Sequence, residues 1–301
     1  MRSSPSKAIS VAPSSTPEET SRVRPFDVAV RLGVETLKRM RWRVPRDSEM
    51  SRAIMIVENI LRMTSCSREM RSHSNEPWMS EVLACQEEVL STEPGSYYSD
   101  RYRRREVSTW LWVAKWIYEE ESKLGAESCL DIGCGYGTFA VLCKRVLGCE
   151  ISCVDVEERP SARRLAGKIG LDLKLCNIET DELPWRREFD IIIFTEVMEH
   201  LNFNPVSTLR KIRDSLAPGG RLYLSTPDAS EAGKVMKYYD SWMEMPQPIR
   251  GKPFIDDHVY QYSKEELFNI ADQAGLRVKR LAYAPGHITR HFNLVLMKKE
   301  D

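Results

Sequence analysis

Two carboxylates and two imidazoles stand at positions from which they could bind one metal ion together. Glu196, Glu199 and His200 have the spacing i, i+3 and i+4, which places all three on one face of a single helical turn. His258 lies in a later loop, just before a helix with a strong N-terminal cap. Oxygen and nitrogen donors in this combination suit Mg²⁺ or Mn²⁺, and the imidazoles favour Mn²⁺. The pattern predicts a metal site formed by Glu196, Glu199, His200 and His258.

These side chains have two chemical uses, and the sequence leaves both open. A bound dication would hold adjacent hydroxyls of a substrate, lower the pKa of one hydroxyl and orient its oxygen. Without a metal, His200 or His258 would act as general base, since imidazole titrates near neutral pH. Glu196 is counted with these two histidines among the catalytic candidates. The simplest alternative is that Glu199 and His200 only cap and hydrogen-bond a loop.

The elements that must position these residues belong to an α/β sheet. Short apolar runs alternate with helical stretches, which is the pattern of parallel strands covered by helices on both faces. Strands are expected at 128–132, 150–156, 173–178, 190–196 and 221–225, with helices near 137–147, 159–169, 205–216 and 264–274. Ser263 and Glu266 have the spacing of a capping box for the last helix. Two final apolar runs, 278–284 and 291–297, predict an antiparallel pair at one edge of the sheet.

A glycine-rich turn leads from the first predicted strand into a helix. The segment runs from Asp131 to Gly137 as Asp-Ile-Gly-Cys-Gly-Tyr-Gly. Glycines there adopt dihedral angles closed to other residues and let a ligand approach the backbone, while the helix start offers free N–H donors. Asp155, at the end of the next strand, can accept from the hydroxyls of a ribose. A dinucleotide is the alternative ligand, but its fingerprint has glycine where Thr138 stands.

Five motifs follow one another in the order seen in class I S-adenosylmethionine-dependent methyltransferases. They are DIGCGYG, the acid of CVDVEE, CNIETDELPW, FDIIIFTEVMEHL and LAPGGRLYLSTP. The chain resembles that family over about two thirds of its length. The resemblance implies methyl transfer from S-adenosylmethionine on a doubly wound, Rossmann-like sheet of seven strands, the final strand antiparallel. The catalytic domain is expected over 95–301, after a helical extension over 26–94 and a disordered tail over 1–25.

The same resemblance implies which residues bind the cofactor. Asp131 would orient the ammonium group of its methionine part, and Asp155 would hold the ribose. Asn177 stands where the family usually has Asp, and its carbonyl can still accept from the exocyclic amine of adenine. Trp185 either covers the adenine or is a core aromatic residue. Tyr97 and Tyr98 lie where related enzymes often place a residue over the cofactor or the acceptor, and core packing is their alternative role. The full set of expected contacts is Asp131, Gly133, Gly135, Gly137, Asp155, Asn177, Ile178 and Thr195.

The Glu-x-x-Glu-His pattern with a later histidine resembles the magnesium site of the small-RNA 3′-terminal 2′-O-methyltransferases. It is also similar to the ubiquinone-pathway O-methyltransferases. The resemblance implies transfer to a hydroxyl, either on a small molecule with vicinal oxygens or at an RNA 3′ end. A noncatalytic protein that binds the cofactor and holds a partner is a further alternative. The presence of both the glycine turn and the polar site argues against it, because noncatalytic relatives usually lose one of them.

Segment 228–262 is predicted to be an acceptor lid, and its aromatic residues indicate an apolar or ring-bearing substrate.

Composition argues against several functions. With 44 basic and 44 acidic residues the formal net charge is zero, so no global field draws the protein to nucleic acid or to an anionic membrane. The arginines at 101–105 could contact phosphates, but such runs are more often solvated helix faces. No apolar run reaches the roughly 18–20 residues that span a bilayer, and the start lacks the apolar core of a secretory signal. The protein is therefore expected to be cytoplasmic.

The remaining segments contain no predicted site residues. Residues 1–25 are rich in Ser, Pro and charge, which predicts disorder. Amphipathic segments at 50–63 and 78–90 predict the helices of the extension, and 103–121 predicts one lead-in helix to the catalytic domain. The eight cysteines include no CxxC pair and are expected to be buried thiols rather than disulfides or a zinc site. His73, His287 and His291 are also expected to be structural.

Overall fold

The computed structural model of the chain describes residues 25–41, 43–45, 48–92, 97–232, 238–252, 255–287 and 289–300. The predicted disordered tail lies outside the described residues, apart from Pro25 at its end. Met236 of the predicted lid also lies outside them. Among the described helices, none combines the length and the hydropathy of a membrane span.

In the described part of the chain, seven strands form one sheet. They are β1 Ser128–Ile132, β2 Glu150–Asp155, β3 Asp172–Leu175, β4 Phe189–Thr195, β5 Leu216–Pro227, β6 Leu276–Ala284 and β7 His291–Lys298. Their spatial order is β3-β2-β1-β4-β5-β7-β6. The first five strands pair in parallel, and β7 lies antiparallel between β5 and β6. This topology confirms the predicted doubly wound, Rossmann-like sheet with an antiparallel final strand.

Helices flank the sheet and precede it. They are α1 Pro25–Arg41, α2 Glu49–Ser72, α3 Pro77–Thr92, α4 Arg103–Thr109, α5 Leu111–Trp116, α6 Ser122–Leu124, α7 Thr138–Leu147, α8 Pro160–Ile169, α9 Pro205–Asp214, α10 Ala229–Ala232 and α11 Lys264–Gln273. Short π-helical turns cover Tyr98–Tyr102 and Ile117–Glu121, and 3-10 turns cover Met198–His200 and Trp242–Glu244. Ser263 and Glu266 form the predicted capping box of α11.

The core has two halves, because successive strand residues point to opposite faces of the sheet. Cys129 of β1 belongs to the half that includes residues of α3, α5 and α7, whereas its neighbour Leu130 belongs to the half covered by α9 and α11. α3 supplies Trp78, Val82 and other fully buried residues to the first half. The last helix of the N-terminal extension, α3, therefore shares the core of the sheet. All eight cysteines are buried and unpaired, as predicted.

The prediction of one continuous lead-in helix over 103–121 is wrong, because the helix breaks at Trp110, where φ is −121° and ψ is 28°. Asn293 of β7 fills the break. Its Nδ2 donates to the carbonyl of Thr109 at 2.8 Å, and its Oδ1 accepts from the amides of Trp112 and Val113 at 3.0 and 3.3 Å. A side chain that inserts into the helical hydrogen-bond ladder is a known cause of such breaks. The insertion ties α4 and α5 to β7.

Candidate active site

A cavity of about 610 Å³ opens where β1, β2 and β4 end. Ile132, Asp155 and Thr195 mark these three strand ends in its wall. The opposite wall includes residues of α4 and the loop after β6. Ligands of α/β sheets bind at this edge. The expected cofactor residues and the predicted metal ligands therefore share one cavity.

The cavity contains six of the eight residues expected to bind the cofactor, namely Gly133, Gly135, Asp155, Asn177, Ile178 and Thr195. Gly137 is instead the N-cap residue of α7, and Asp131 is buried behind the glycine turn with 3% exposure. Neither of these two lies among the described residues that line the cavity. Tyr97 lines it, whereas Tyr98 is fully buried in the core.

The glycine turn is fixed between β2 and the segment after β4. Gly133 has φ 71°, and a Cβ atom there would lie 2.3 Å from Cγ2 of Val197, so only glycine fits without displacement. Oδ2 of Asp155 accepts from the amide of Gly135 at 2.8 Å. The same carboxylate can still accept from a ribose, since an ionised carboxylate has about four acceptor positions.

The carboxylate of Asp131 is buried, and its hydrogen bonding is incomplete. Its Oδ2 is buried and has no hydrogen-bond partner among the described residues. Burial raises the pKa of Asp131 to about 7, and the negative charge of Asp155 contributes to the rise. Burial and the charge of Asp155 therefore favour a bound proton on Asp131.

At the expected adenine end, two side chains are already engaged. Oδ1 of Asn177 accepts from the amide of Glu179 at 3.0 Å, which leaves its carbonyl one further lone pair. Trp185 donates to Asp172 at 2.5 Å, carries Lys174 over its ring, and does not line the cavity in the described structure. The lining of the cavity therefore gives no support to the alternative in which Trp185 covers the adenine.

Glu199, His200 and His258 form a compact group of metal-ligand type, each offering one ligand atom within 4.8 Å of the others. The rings of His200 and His258 meet edge to face with centroids 4.7 Å apart. Glu199 is buried, and its Oε2 accepts from the hydroxyl of Thr226 at 2.9 Å. Nδ1 of His200 is buried without a hydrogen-bond partner in the described residues. Three of the four predicted metal ligands thus lie together.

The prediction that one helical turn presents Glu196 beside Glu199 and His200 is wrong. The 3-10 turn begins only at Met198, and Glu196 before it has a left-handed backbone with φ 55°. This conformation is uncommon outside glycine. Oε1 of Glu196 accepts from the hydroxyl of Ser225 at 2.7 Å and lies 3.0 Å from Nδ1 of His291. Glu196 therefore faces β5 and β7, although it still lines the cavity.

Burial and neighbouring charges separate the pKa values of these groups. Burial raises the pKa of Glu199 well above its usual range, and the charge of Glu196 raises it further. Burial would also raise the pKa of Glu196, but the charge and hydrogen bond of His291 and the bond from Ser225 lower it overall. Burial and the charge of His200 lower the pKa of His258. An uncharged His258 at neutral pH can ligate a metal or accept a proton.

The predicted lid reaches the cavity with polar residues rather than aromatic ones. Trp242 and Met245 are buried in the core beneath it. From the described part of 228–262, the residues that line the cavity are Asp256, His258 and Gln261. The aromatic residues of this segment therefore give no support to a ring-bearing substrate.

Several charged residues and histidines among the lining residues were missed or set aside on sequence grounds. They include Arg105, Glu106, His287 and His291. The amide of Gly286 donates to the carbonyl of Ser108 at 2.8 Å, which brings the loop after β6 against α4. No local spacing joins these distant segments, so the sequence offers no signal for the contact.

Comparison with known proteins identifies the family. A family model described as "Methyltransferase domain" matches residues 99–281. The ubiquinone biosynthesis O-methyltransferase of Aeromonas salmonicida is 28% identical over 177 residues, 56% of this chain and 72% of that protein. The enzyme of the same name from Ruegeria pomeroyi is 33% identical over 154 residues, 49% of this chain and 58% of that protein.

Two solved structures share the fold. One is an S-adenosylmethionine-dependent methyltransferase from Clostridium acetobutylicum, with TM-score 0.50 and 15% identity over 68% of this chain and 96% of that one. The other is the magnesium protoporphyrin IX methyltransferase of Synechocystis with bound S-adenosylhomocysteine, with TM-score 0.50 and 15% identity over 77% of this chain and 100% of that one.

Proposed function

Because the chain belongs to the class I S-adenosylmethionine-dependent methyltransferases, we propose that it methylates a hydroxyl of a small molecule with vicinal oxygens, assisted by a divalent metal. The observation that carries the proposal is the compact group of buried Glu199 and half-buried His200 and His258, which shares one cavity with the glycine turn. The curated relatives are named as O-methyltransferases, which supports oxygen as the acceptor atom.

The cofactor is proposed to lie along the strand ends. Its methionine part contacts Gly133 and Gly135, and its ribose binds the carboxylate of Asp155. Its adenine lies near Asn177 and Ile178, and Thr195 lies beside the sulfonium. His200 and His258 line the same cavity and would lie near the acceptor.

The donor set fits a divalent ion. Glu199 is a buried carboxylate whose pKa is raised, and His200 has an orphaned buried nitrogen, so a dication would satisfy both. Two imidazoles beside a carboxylate favour Mn²⁺ over Mg²⁺. When bound, the ion would polarise the acceptor hydroxyls and lower the pKa of one of them.

Neighbouring side chains position the residues that would contact the acceptor and take up its proton. Thr226 holds the carboxylate of Glu199, and Gln261 lies with its Nε2 3.5 Å from Nδ1 of His258. In the transfer, the acceptor oxygen bonds to the methyl carbon while the bond from that carbon to sulfur breaks, leaving S-adenosylhomocysteine. The hydroxyl proton leaves to solvent in the metal-assisted reaction. In the metal-free alternative it passes to the uncharged His258.

Calorimetric titration of Mn²⁺ into protein saturated with S-adenosylhomocysteine tests the metal. We expect one binding site in the parent protein, loss of binding in His258→Ala, and normal binding in the control His287→Ala, whose histidine lines the same cavity outside the group. Absence of binding in the parent protein would contradict metal assistance and favour the histidine-assisted transfer.

Transfer of labelled methyl groups tests the acceptor. We expect incorporation into a panel of small molecules with two adjacent hydroxyls, aromatic and non-aromatic, blocked by EDTA and restored by Mn²⁺, and none into short RNAs. Incorporation that requires an RNA 3′ end with both hydroxyls would replace the small-molecule proposal with 2′-O-methylation.

A further inference from the structure

Glu106 of α4 places a buried carboxylate in the wall of the same cavity. Its side chain is 4% exposed. Oε1 accepts from Nε2 of Gln86 at 2.7 Å and from the hydroxyl of Tyr98 at 2.8 Å, and Oε2 accepts from the hydroxyl of Thr138 at 3.0 Å. Three donors from α3, the π-helical turn and α7 thus converge on one acid, which fixes its position.

All three donors are neutral, so the charge of Glu106 has no direct counterion among the described residues. Arg103 is the cation that acts on it, but the guanidinium of Arg103 is paired with Glu87 at the surface. Burial raises the pKa of Glu106 to about 7 against the effect of its three hydrogen bonds. A buried carboxylate that lines a cavity in this state favours a cationic ligand.

The position of Glu106 relative to the glycine turn identifies that cation. Thr138, which donates to Glu106, is the first residue of α7 and directly follows Gly137. Gly133 and Gly135 line the cavity with Glu106, whereas Asp131, the acid expected on family grounds to orient the ammonium group, does not. We propose that Glu106 binds the α-ammonium group of the cofactor's methionine part, and that Gln86 positions it.

This inference rests on the proposed cofactor site and gives the N-terminal extension a role in it. Gln86 lies in α3, within residues 26–94, and its amide also donates to the carbonyl of Arg103 at 2.9 Å. The extension thereby holds both the side chain of Glu106 and the start of α4.

The test compares calorimetric affinities for S-adenosylhomocysteine and for its desamino analogue, in which hydrogen replaces the ammonium group. A hydrogen bond to a buried charge is worth enough for the parent protein to prefer S-adenosylhomocysteine by about 10-fold or more. Glu106→Gln should reduce this preference to less than about 3-fold while affinity for the desamino analogue stays unchanged. Asp131→Asn is the comparison variant and should keep the preference.

Gln86→Leu keeps the charge of Glu106 and removes only its positioning. It should lower the preference partly, and the unchanged affinity for the desamino analogue shows that the fold is intact. Full preference in both Glu106→Gln and Gln86→Leu overturns the proposal, and loss of preference only in Asp131→Asn assigns the ammonium group to Asp131. Failure of the parent protein to bind S-adenosylhomocysteine at all would instead contradict the cofactor assignment, and none of these measurements depends on acceptor or metal.

Discussion

Nδ1 of His291 lies 3.0 Å from Oε1 of Glu196, and this contact joins the first residue of β7 to the turn after β4. The same Glu196 oxygen accepts from Ser225 of β5. A residue with φ 55° is thus held by two side chains from neighbouring strands. The contacts of Glu196 with Ser225 and His291 fix the start of the segment that carries Glu199 and His200.

Glu196→Gln should destabilise the fold in a pH-dependent way. Because the folded-state pKa of Glu196 is lowered, its carboxylate stabilises the protein above its unfolded pKa of about 4.3, and this stabilisation is lost as pH falls through the folded value. Urea unfolding should show a deficit of about 1–3 kcal/mol at pH 6 that shrinks toward pH 3. A deficit that is constant with pH would mean that the ionisation of Glu196 does not contribute to stability.

Gly133→Ala should abolish binding of S-adenosylhomocysteine, because the added Cβ would meet Cγ2 of Val197 at 2.3 Å. The double variant Gly133→Ala, Val197→Ala removes that atom and should recover much of the binding, leaving a backbone strain of about 1–2 kcal/mol. Gly148→Ala is the matched control, since Gly148 has φ 67° with nothing within 4 Å of its virtual Cβ. Equal loss in the double variant would refute the steric explanation.

The strands of the sheet and the glycine turn could be predicted from the sequence, because both depend on local patterns. The apolar run at 128–132 predicted β1 at the residues where it is found. The positions of the turn that need positive φ are occupied by Gly133, Gly135 and Gly137, which the sequence shows directly. The predicted β3 over 173–178 ends early at Leu175, since the amides of Thr180 and Asp181 donate to the carbonyl of Asn177 and close a turn. Turn closure of this kind has no strong signal in an apolar run.

The candidate site was only partly accessible from sequence for a related reason. The sequence grouped Glu199, His200 and His258, which the structure brings within 4.8 Å, but its helical spacing also included Glu196, whose left-handed backbone breaks the pattern. The contacts of Glu196 with His291 and of Glu106 with Gln86 join residues far apart in the chain. Periodicity contains no information on such pairs.

Asn293→Ala should lower the free energy of unfolding by about 2–4 kcal/mol, because it leaves the carbonyl of Thr109 and two amides of α5 without partners. Asn269→Ala, on the exposed face of α11, should change it by less than about 0.5 kcal/mol. Chemical denaturation of both variants is the measurement. Similar values for the two would show that the helix break does not depend on Asn293.

Asp131→Asn should make the ligand-free protein more stable than the parent at pH 8 and not at pH 4. The folded-state pKa of Asp131 is raised to about 7, so the contribution of its protonated form is fully present below the unfolded pKa of about 3.9 and is lost as pH rises through 7. Asparagine keeps the neutral shape and avoids the charge that burial and Asp155 disfavour at high pH. Denaturation curves at both pH values, with the exposed Glu265→Gln as control, measure the difference. A gain at pH 4 equal to that at pH 8 would show that the ionisation of Asp131 is not its cause.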